Sequence, residues 1–520
     1  MKAEGVHPDA EVQSDLTRAV VGGAGLTTAG VVLSGLLTLA SYLVLARLAA
    51  PEVFGAFAAA SIALGAGGIF VESGMLAALI HRRDRLEEAA NTAFVATMLG
   101  GLALALIALA ASPLIGLVFS SRRIGIVAAA LSGMLLLGAG TVVPDALLQR
   151  RFSFLRRVLV DPLGVGAFGA TAIPALSAGL GVWGLVLATY ASELVQVIAA
   201  WKASGFRPEL RRASFAMWKE LTGYGRHVLK ATLVDHVSLA TNTALLGRFV
   251  STSALGEYRY ATRFSTLPEE LAVNAGSYVL FPAFARIAPD RVRSERAFLR
   301  SLRWLVAAVL PVSLLLLPLG RPLVVLLLGE PWRPAGVALM ILCLASAPRA
   351  AGSVSAASLK AIGRPDVLPA LHLLQAVLTI ALTVALVPFG LLGIAAGVTA
   401  GAVASNAVAL FWTARVQSLS WRAIAAAIGA PYAAGAAMIA LLLPLDRLSI
   451  HADAHGTAVG LGLLAGEAVA GLALYATCLL ALSPATRIDL AGAVRAAVLR
   501  ARPAPALGEP QPPSSPASPA

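Results

Sequence analysis

The hydrophobic positions of this chain fall into long runs separated by short polar bends. The first two runs extend from Leu26 to Leu45 and from Val53 to Ile80, and the polar bend from Arg47 to Glu52 lies between them. Each run has about 20 or more mainly apolar residues, enough for a helix to cross a hydrocarbon layer of roughly 30 Å. The pattern therefore predicts a transmembrane helical hairpin.

The same bend returns in the second half of the chain. Arg47-Leu48 precedes Phe54-Gly55-Ala56-Phe57, and Arg248-Phe249 precedes Leu255-Gly256-Glu257-Tyr258 at the same spacing. In each copy an apolar-Gly-x-aromatic corner begins seven residues after the arginine. Transporters are often built from repeated halves, so this echo predicts a duplicated membrane transporter.

Hydropathy along the whole chain predicts an all-α polytopic membrane protein with about fourteen transmembrane helices. Six spans in each half give two pseudo-symmetric six-helix lobes, and two C-terminal helices follow them. The predicted spans are 24–46, 53–79, 92–118, 125–148, 159–179, 182–201, 228–247, 261–284, 303–327, 335–358, 367–387, 391–413, 424–444 and 457–482.

These spans divide the chain into six segments. They are a cytoplasmic N-terminal segment (1–20), an N-lobe (21–201), an inter-lobe connector (202–226), a C-lobe (227–415), the last two spans (416–483) and a C-tail (484–520) that is disordered after 502. The connector mixes basic and aromatic residues. This favours an amphipathic segment on the anionic inner leaflet, and a solvated basic loop is the alternative.

Composition and charge agree with a membrane protein. The chain is 58% hydrophobic and only 13% charged, well below the charged fraction of soluble domains. The net charge of +13 indicates basic loops rather than nucleic-acid binding, because most of the 40 lysines and arginines lie in the two termini and the loops after even-numbered spans. The positive-inside rule then places both termini in the cytoplasm. Neither a cofactor nor a metal site is expected.

Several motifs, taken in order, resemble bacterial polysaccharide transporters. The resemblance is to the Wzx-like, lipopolysaccharide-biosynthesis branch of the multidrug/oligosaccharidyl-lipid/polysaccharide (MOP) exporter superfamily. The motifs are Leu45 to Gly55, Glu72-Ser73-Gly74-Met75, Leu79-Ile80-His81-Arg82, Leu148 to Phe154, Gly181 to Val186, Leu246-Gly247-Arg248-Phe249, Ala254 to Tyr258, Leu280-Phe281-Pro282-Ala283 and Leu328 to Trp332. One position departs from the pattern: many relatives have an acidic residue where this chain has Asn242.

The resemblance implies a flippase of the bacterial cytoplasmic (inner) membrane and no enzymatic activity. An isoprenoid-pyrophosphate-linked oligosaccharide would enter a cavity between the lobes and leave to the outer leaflet. Its implied partners are this lipid-linked oligosaccharide, anionic membrane lipid, and glycosyltransferases and a polymerase of the same pathway. Two alternatives stay open: a cation-coupled drug antiporter of the same superfamily, and a membrane polymerase or ligase of the polysaccharide pathway.

Charged residues within apolar spans are the candidates for the chemistry, because an intramembrane charge needs a partner or a wet cavity. Guanidinium groups bind phosphate with two parallel hydrogen bonds and stay charged. The candidate substrate-binding residues are Arg47, Lys230, Asn242, Arg248, Arg259, Arg263 and Arg349. For Arg47 and Arg248 the alternative is an interfacial anchor or a residue favoured at a helix C-terminus. For Arg349 the alternative is a buried pair with a carboxylate.

Three acidic residues are candidates for ion coupling or gating: Glu72, Asp235 and Glu269. Glu72 is followed by Ser-Gly, which would allow the helix to break there. For Asp235 and Glu269, salt bridges across the lobes or structural pairs between helices are the alternatives.

Overall fold

The computed structural model describes residues 30, 33–82, 84–150, 159–287, 290–446, 450–489 and 491, and every element in these ranges is helical. The longer helices are α1 (Leu33–Leu48), α2 (Pro51–His81), α3 (Leu86–Val118), α4 (Arg122–Leu131), α5 (Met134–Arg150), α6 (Asp161–Ser177), α7 (Val182–Ser204), α8 (Phe215–Phe249), α9 (Thr252–Ile287), α10 (Arg291–Leu328), α11 (Arg333–Leu342), α12 (Ser346–Ala361), α13 (Leu368–Leu386), α14 (Gly390–Gln417), α15 (Trp421–Leu445) and α16 (Thr457–Leu482).

Short 3-10 turns lie between some of these helices, at Leu210–Arg212, Glu330–Trp332, Cys343–Ala345, Pro365–Val367, Val387–Phe389 and Ala452–Ala454. We call the end of the bundle where α2 and α9 begin the corner end. The opposite end, where α8 begins, is the connector end.

The outer surface of the helical bundle is apolar, and this distinguishes a membrane environment from water. Within the described ranges, eight helical segments are long and apolar enough to cross a membrane. In α3, for example, Leu106, Leu114 and Leu117 are 58%, 62% and 71% exposed. Exposed leucines along a 33-residue helix are unfavourable in water and suit hydrocarbon. The chain is therefore a multi-pass membrane protein, and the number of fourteen spans stays a prediction.

Side-chain caps fix several helix starts. The hydroxyl oxygen of Ser121 accepts a hydrogen bond from the backbone N–H of Ile124, and Ser420 does the same for Ala423. The Asp290 carboxylate accepts from the N–H of Arg293 at the start of α10. These caps satisfy N–H groups that have no partner within the helix. At the end of α10, Gly329 adopts φ 105°, a conformation that favours glycine.

The last two helices pack against α10. A methyl group added to Gly435 of α15 would lie 2.5 Å from a methyl carbon of Leu314, so the two helices approach closely. On α16, the Tyr475 hydroxyl donates to the backbone oxygen of Ala307 over 3.1 Å. Spans 13 and 14 of the sequence prediction thus extend the second half of the molecule and share one apolar core with α10.

The connector packs onto the start of α3. The backbone N–H of Glu209 donates to Asn91 Oδ1 over 2.6 Å, and that of Ser214 donates to the Thr92 hydroxyl over 3.0 Å. The helix that contains predicted span 7 begins at Phe215, before the predicted start of that span at 228. In this early turn Phe215 and Trp218 stack on the exposed side. The placement of the connector on the inner leaflet stays a prediction.

An ion pair fastens this early part of α8 to the first half. Arg82 Nη1 lies 2.6 Å from Glu220 Oε2. This hydrogen bond, together with the charge of Arg82, lowers the pKa of the Glu220 carboxyl. Met217 and Leu221 are buried beside it against Ala78 and Leu79 of α2. The first turns of α8 therefore pack on the end of α2.

Candidate functional site: the interface between the two halves

The two echoed corners of the sequence contact each other directly. A methyl group on Gly55 of α2 would lie 2.8 Å from the carbonyl carbon of Thr252 on α9. One on Gly256 of α9 would lie 2.9 Å from the carbonyl carbon of Pro51. Distances below 3.0 Å exclude any side chain at either position. The first turns of α2 and α9 therefore cross backbone to backbone, one helix from each half.

Aromatic residues close the corner end around this crossing. The Tyr260 hydroxyl donates to the backbone oxygen of Tyr42 over 3.2 Å, and Trp332 Nε1 donates to that of Ala46 over 3.0 Å. The Tyr260 and Trp332 ring centroids are 4.3 Å apart, and the Phe54 ring packs on both, with its centroid 5.1 Å from that of Tyr260 and 5.5 Å from that of Trp332. Phe54, Tyr260 and Trp332 are all buried. One apolar core thus spans both halves at this end.

Arg47 also joins the halves, through backbone oxygens. Its Nε donates to the carbonyl oxygen of Leu327 over 2.7 Å, and its Nη2 donates to that of Leu326. These carbonyls belong to the last turn of α10, where the helix dipole favours a cation. Of the roles that the sequence left open for Arg47, this geometry favours the one at a helix C-terminus, here the end of a helix in the other half.

Beyond the crossing, the same face of α9 becomes charged. At 100° per residue, Arg263 lies about 20° and Glu270 about 40° from the direction of Gly256 around the helix. Arg263 Nη1 and Glu270 Oε2 are 3.4 Å apart, and the two side chains are 38% and 45% exposed. Arg259 lies about 60° from Gly256 and makes no hydrogen bond or ion pair with any described residue. The face that touches the first half at Gly256 therefore continues as a polar, accessible strip.

A second pair lies on another side of α9. Arg349 Nη1 of α12 is 3.8 Å from Glu269 Oε2, beyond hydrogen-bonding distance, and each side chain is 21% exposed. The Ser346 hydroxyl of α12 donates to the backbone oxygen of Ser265 over 2.9 Å nearby. Arg349 and Glu269 thus bridge two helices within the second half, as in the pairing that the sequence left open for Arg349.

Of the other candidate side chains, the structure describes Arg248 and Asn242. Arg248 is exposed at the end of α8 and lines a groove with residues of α3 and α4. Asn242 is buried in α8, and its Oδ1 accepts no hydrogen bond from the described residues. Glu72 lies within α2, and Lys230 and Asp235 lie within α8, but their side chains are outside the described part of the structure.

Sequence reasoning missed some members of the interface. Tyr42 acts through its backbone oxygen, which leaves no sequence signal. Trp332 lies in the motif Leu328 to Trp332, which belongs to the family resemblance. The motif does not indicate which residue Trp332 contacts. Arg122, beside Arg248 in the groove, lies in a loop between predicted spans, where an arginine carries no specific signal.

Comparison with known proteins identifies the group to which this architecture belongs. The family described as "Polysaccharide biosynthesis protein" matches residues 44–337. Succinoglycan biosynthesis transport protein ExoT of Rhizobium meliloti (strain 1021) is 25% identical over 478 residues, which cover 89% of this chain and 92% of that protein. Lipopolysaccharide biosynthesis protein WzxC of Escherichia coli (strain K12) is 25% identical over 144 residues, 28% of this chain and 29% of that protein.

Solved structures show the fold. Lipid II flippase MurJ in an inward closed conformation superposes with a TM-score of 0.71 at 13% identity, covering 89% of this chain and 99% of that one. A MATE family multidrug resistance transporter in an inward-facing conformation gives a TM-score of 0.61 at 18% identity, with coverage of 74% and 94%. The resemblance read from the motifs is confirmed. The chain is a multi-pass protein of the inner membrane, has the fold of the MOP superfamily, and belongs to the polysaccharide biosynthesis protein family.

Proposed function

We propose that this protein is a flippase that moves an isoprenoid-pyrophosphate-linked oligosaccharide across the cytoplasmic membrane by alternating access between its two halves. Its family and the transport relative ExoT, matched over nearly the full chain, support this role in surface polysaccharide synthesis. No bond is made or broken in this step. Lys and Arg in the loops orient the corner end outward in this proposal.

The observation that carries the proposal is the direct contact of Gly55 with Gly256 and its neighbours, at equivalent positions of the two halves. A contact without side chains, surrounded by Tyr260 and Trp332, closes one end of the interface tightly. Repeat units that rock about a shared site open one end as they close the other. In this proposal the structure is the state closed to the outside, in which the headgroup enters from the cytoplasm.

Arg259 and Arg263 are the proposed contacts for the pyrophosphate. They lie on the α9 face that points toward the first half, and both stay partly accessible. Arg263 is held by Glu270 at 3.4 Å, so a pyrophosphate, with more negative charge than one carboxylate, would compete for the same guanidinium. The freed Glu270 carboxylate would then become available to a cation or proton. This exchange offers a physical link between substrate binding and an ion gradient.

The remaining candidates keep proposed roles that follow their positions. Arg349 and Glu269 form a pair within the second half, and Glu269 stays a candidate for coupling together with Glu72 and Asp235. Lys230 and Asn242 lie on α8 and stay candidates for contacts with the substrate. Arg47 holds the outer closure through the end of α10.

Deletion of the gene and complementation with variants test the proposal. Loss of the protein should stop surface polysaccharide and leave the lipid-linked sugar on the cytoplasmic leaflet. Arg263→Ala should lower export roughly tenfold, the effect of losing about 1.4 kcal/mol of binding free energy. Arg291→Ala is the matched control, since Arg291 also pairs with a glutamate, Glu295, at 3.3 Å but lies at the start of α10. Normal surface polysaccharide after deletion, with no trapped intermediate, would contradict the flippase.

A further inference from the structure

A groove on the side of the bundle near the corner end is a second candidate binding site. We propose that it binds an anionic phospholipid of the surrounding membrane, with Arg122 and Arg248 on the phosphate. The groove lies between α3, α4 and the end of α8 and has a volume of about 720 Å³, within the range of ligand pockets. It is separate from the strip of Arg259 and Arg263 on α9.

The cations of the groove are free to bind an anion. Neither Arg122 nor Arg248 makes a hydrogen bond or ion pair within the described part of the chain, and both are exposed. The other lining residues include three hydroxyls, at Ser112, Ser120 and Ser121, and no carboxylate. The Ser112 hydroxyl already donates to the backbone oxygen of Leu109. Two unpaired guanidinium groups beside the hydroxyls of Ser120 and Ser121 favour a phosphate and disfavour any cation.

The remainder of the groove is apolar and continues into the lipid-facing surface. Pro113, Leu117 and Ile126 line it, and Leu117 and Ile126 are 71% and 47% exposed. Its floor is formed where α3 and α4 approach closely: a methyl group on Gly125 would lie 2.9 Å from the backbone oxygen of Ser112. A basic rim above an apolar wall, on a helix surface that contacts hydrocarbon, matches a phospholipid with its acyl chains rather than a soluble anion.

The groove also joins the two halves of the molecule. Arg122 belongs to the first half, and Arg248 ends α8 of the second half. A methyl group on Gly247 would lie 2.6 Å from Cε1 of Phe119, so the end of α8 packs on the end of α3 here. A phosphate held by both arginines would therefore bridge the halves beside the closed corner and stabilise that closure.

Native mass spectrometry of the detergent-purified protein tests this site, with phosphatidylglycerol and phosphatidylethanolamine as probes. The wild type should retain phosphatidylglycerol preferentially, and Arg122→Ala/Arg248→Ala should lower its apparent affinity at least roughly tenfold. Arg123→Ala is the matched control. Arg123 is also exposed but is absent from the groove, and its guanidinium reaches toward Gly181. Equal retention by the double variant, or an equal loss with Arg123→Ala, would overturn the proposal.

Two further arms test the shape of the groove and the need for acyl chains. Ala129→Phe fills the groove without removing charge and should also weaken phosphatidylglycerol binding, because Ala129 lines its wall. Glycerol phosphate, which has the headgroup charge without acyl chains, should bind at least roughly tenfold more weakly than the lipid; equal affinity would exclude a phospholipid site. The assay contains no sugar lipid, so its outcome is independent of the flippase proposal.

Discussion

The Arg349–Glu269 pair shows how a charged residue is tolerated at the middle of an apolar bundle. The two groups are 3.8 Å apart and each is about one-fifth exposed. At that distance the attraction is electrostatic without a hydrogen bond, and Glu269 Oε2 is buried with no hydrogen-bond partner among the described residues. The charge of Arg349 therefore offsets part of the cost of burying the Glu269 carboxylate.

Substitution of this pair separates a structural role from a functional one. Arg349→Ala leaves the Glu269 carboxylate without its partner and should lower the free energy of unfolding by roughly 2 kcal/mol, less than the 3–5 kcal/mol of a fully buried pair. Arg349→Ala/Glu269→Gln should restore thermal stability in detergent because no lone charge remains. Export should stay low in the double variant if the pair takes part in coupling. Export that recovers together with stability would assign the pair to folding alone.

At the residue scale, the sequence indicated which residues matter better than it indicated which atoms they contact. The arginine before each corner was recognised, and a role at a helix C-terminus was among its alternatives. However, the acceptors of Arg47 are backbone oxygens of Leu326 and Leu327, which lie 279 and 280 positions further along the chain. Backbone oxygens carry no sequence signature, so neither this contact nor that of Tyr260 with Tyr42 was predictable from composition or spacing.

At the element scale, the crossing of α2 and α9 depends on two glycines. Glycine is unfavourable within a helix by roughly 1 kcal/mol relative to alanine, so its presence here indicates a packing need. The apolar-Gly-x-aromatic echo identified both positions as equivalent in the two halves. Their mutual contact follows only from the placement of the halves against each other, which a linear pattern does not encode.

Gly256→Ala tests this crossing. The added methyl group would overlap the backbone of Pro51, so α2 and α9 must separate. We expect the corner end to lose its closed state and export to fall at least roughly tenfold, while the protein stays folded. Gly100→Ala in α3 is the matched control, because a methyl group there meets no atom within 4 Å. If Gly256→Ala exports as well as Gly100→Ala does, the crossing is not a gate.

The start of α8 shows that a helix can extend beyond the membrane span predicted from hydropathy. The pattern predicted a membrane span from 228, because the residues before it are mixed in polarity. In the structure the helix begins at Phe215, since Met217 and Leu221 bury one side against α2 and α3 while Glu220 pairs with Arg82 on another. An amphipathic turn packed on protein is helical without being apolar enough to register as a span.

At the scale of the whole molecule, the repeat of two six-helix lobes stays a prediction, and the two motifs behind it meet at the crossing of α2 and α9. The all-helical class was predictable because the apolar runs are long, and the resemblance to the MOP superfamily was predictable because the motifs occur in a specific order. The conformation was not predictable, since both states of a rocking transporter satisfy the same hydropathy pattern. That information lies in contacts between halves: Gly55 with Gly256, Tyr42 with Tyr260, and Arg47 with the end of α10.

Distances between spin labels at both ends of the interface test the alternating-access account most directly. One pair, Glu52→Cys with Phe249→Cys, spans the corner end, and the other, Asp84→Cys with Arg291→Cys, spans the connector end. All four positions are exposed, and both native cysteines, Cys343 and Cys478, would be replaced by alanine. The account predicts a short corner distance at rest, and a second population in lipid vesicles with substrate in which the corner distance lengthens while the connector distance shortens. Distances that stay fixed, or that lengthen together at both ends, would contradict it.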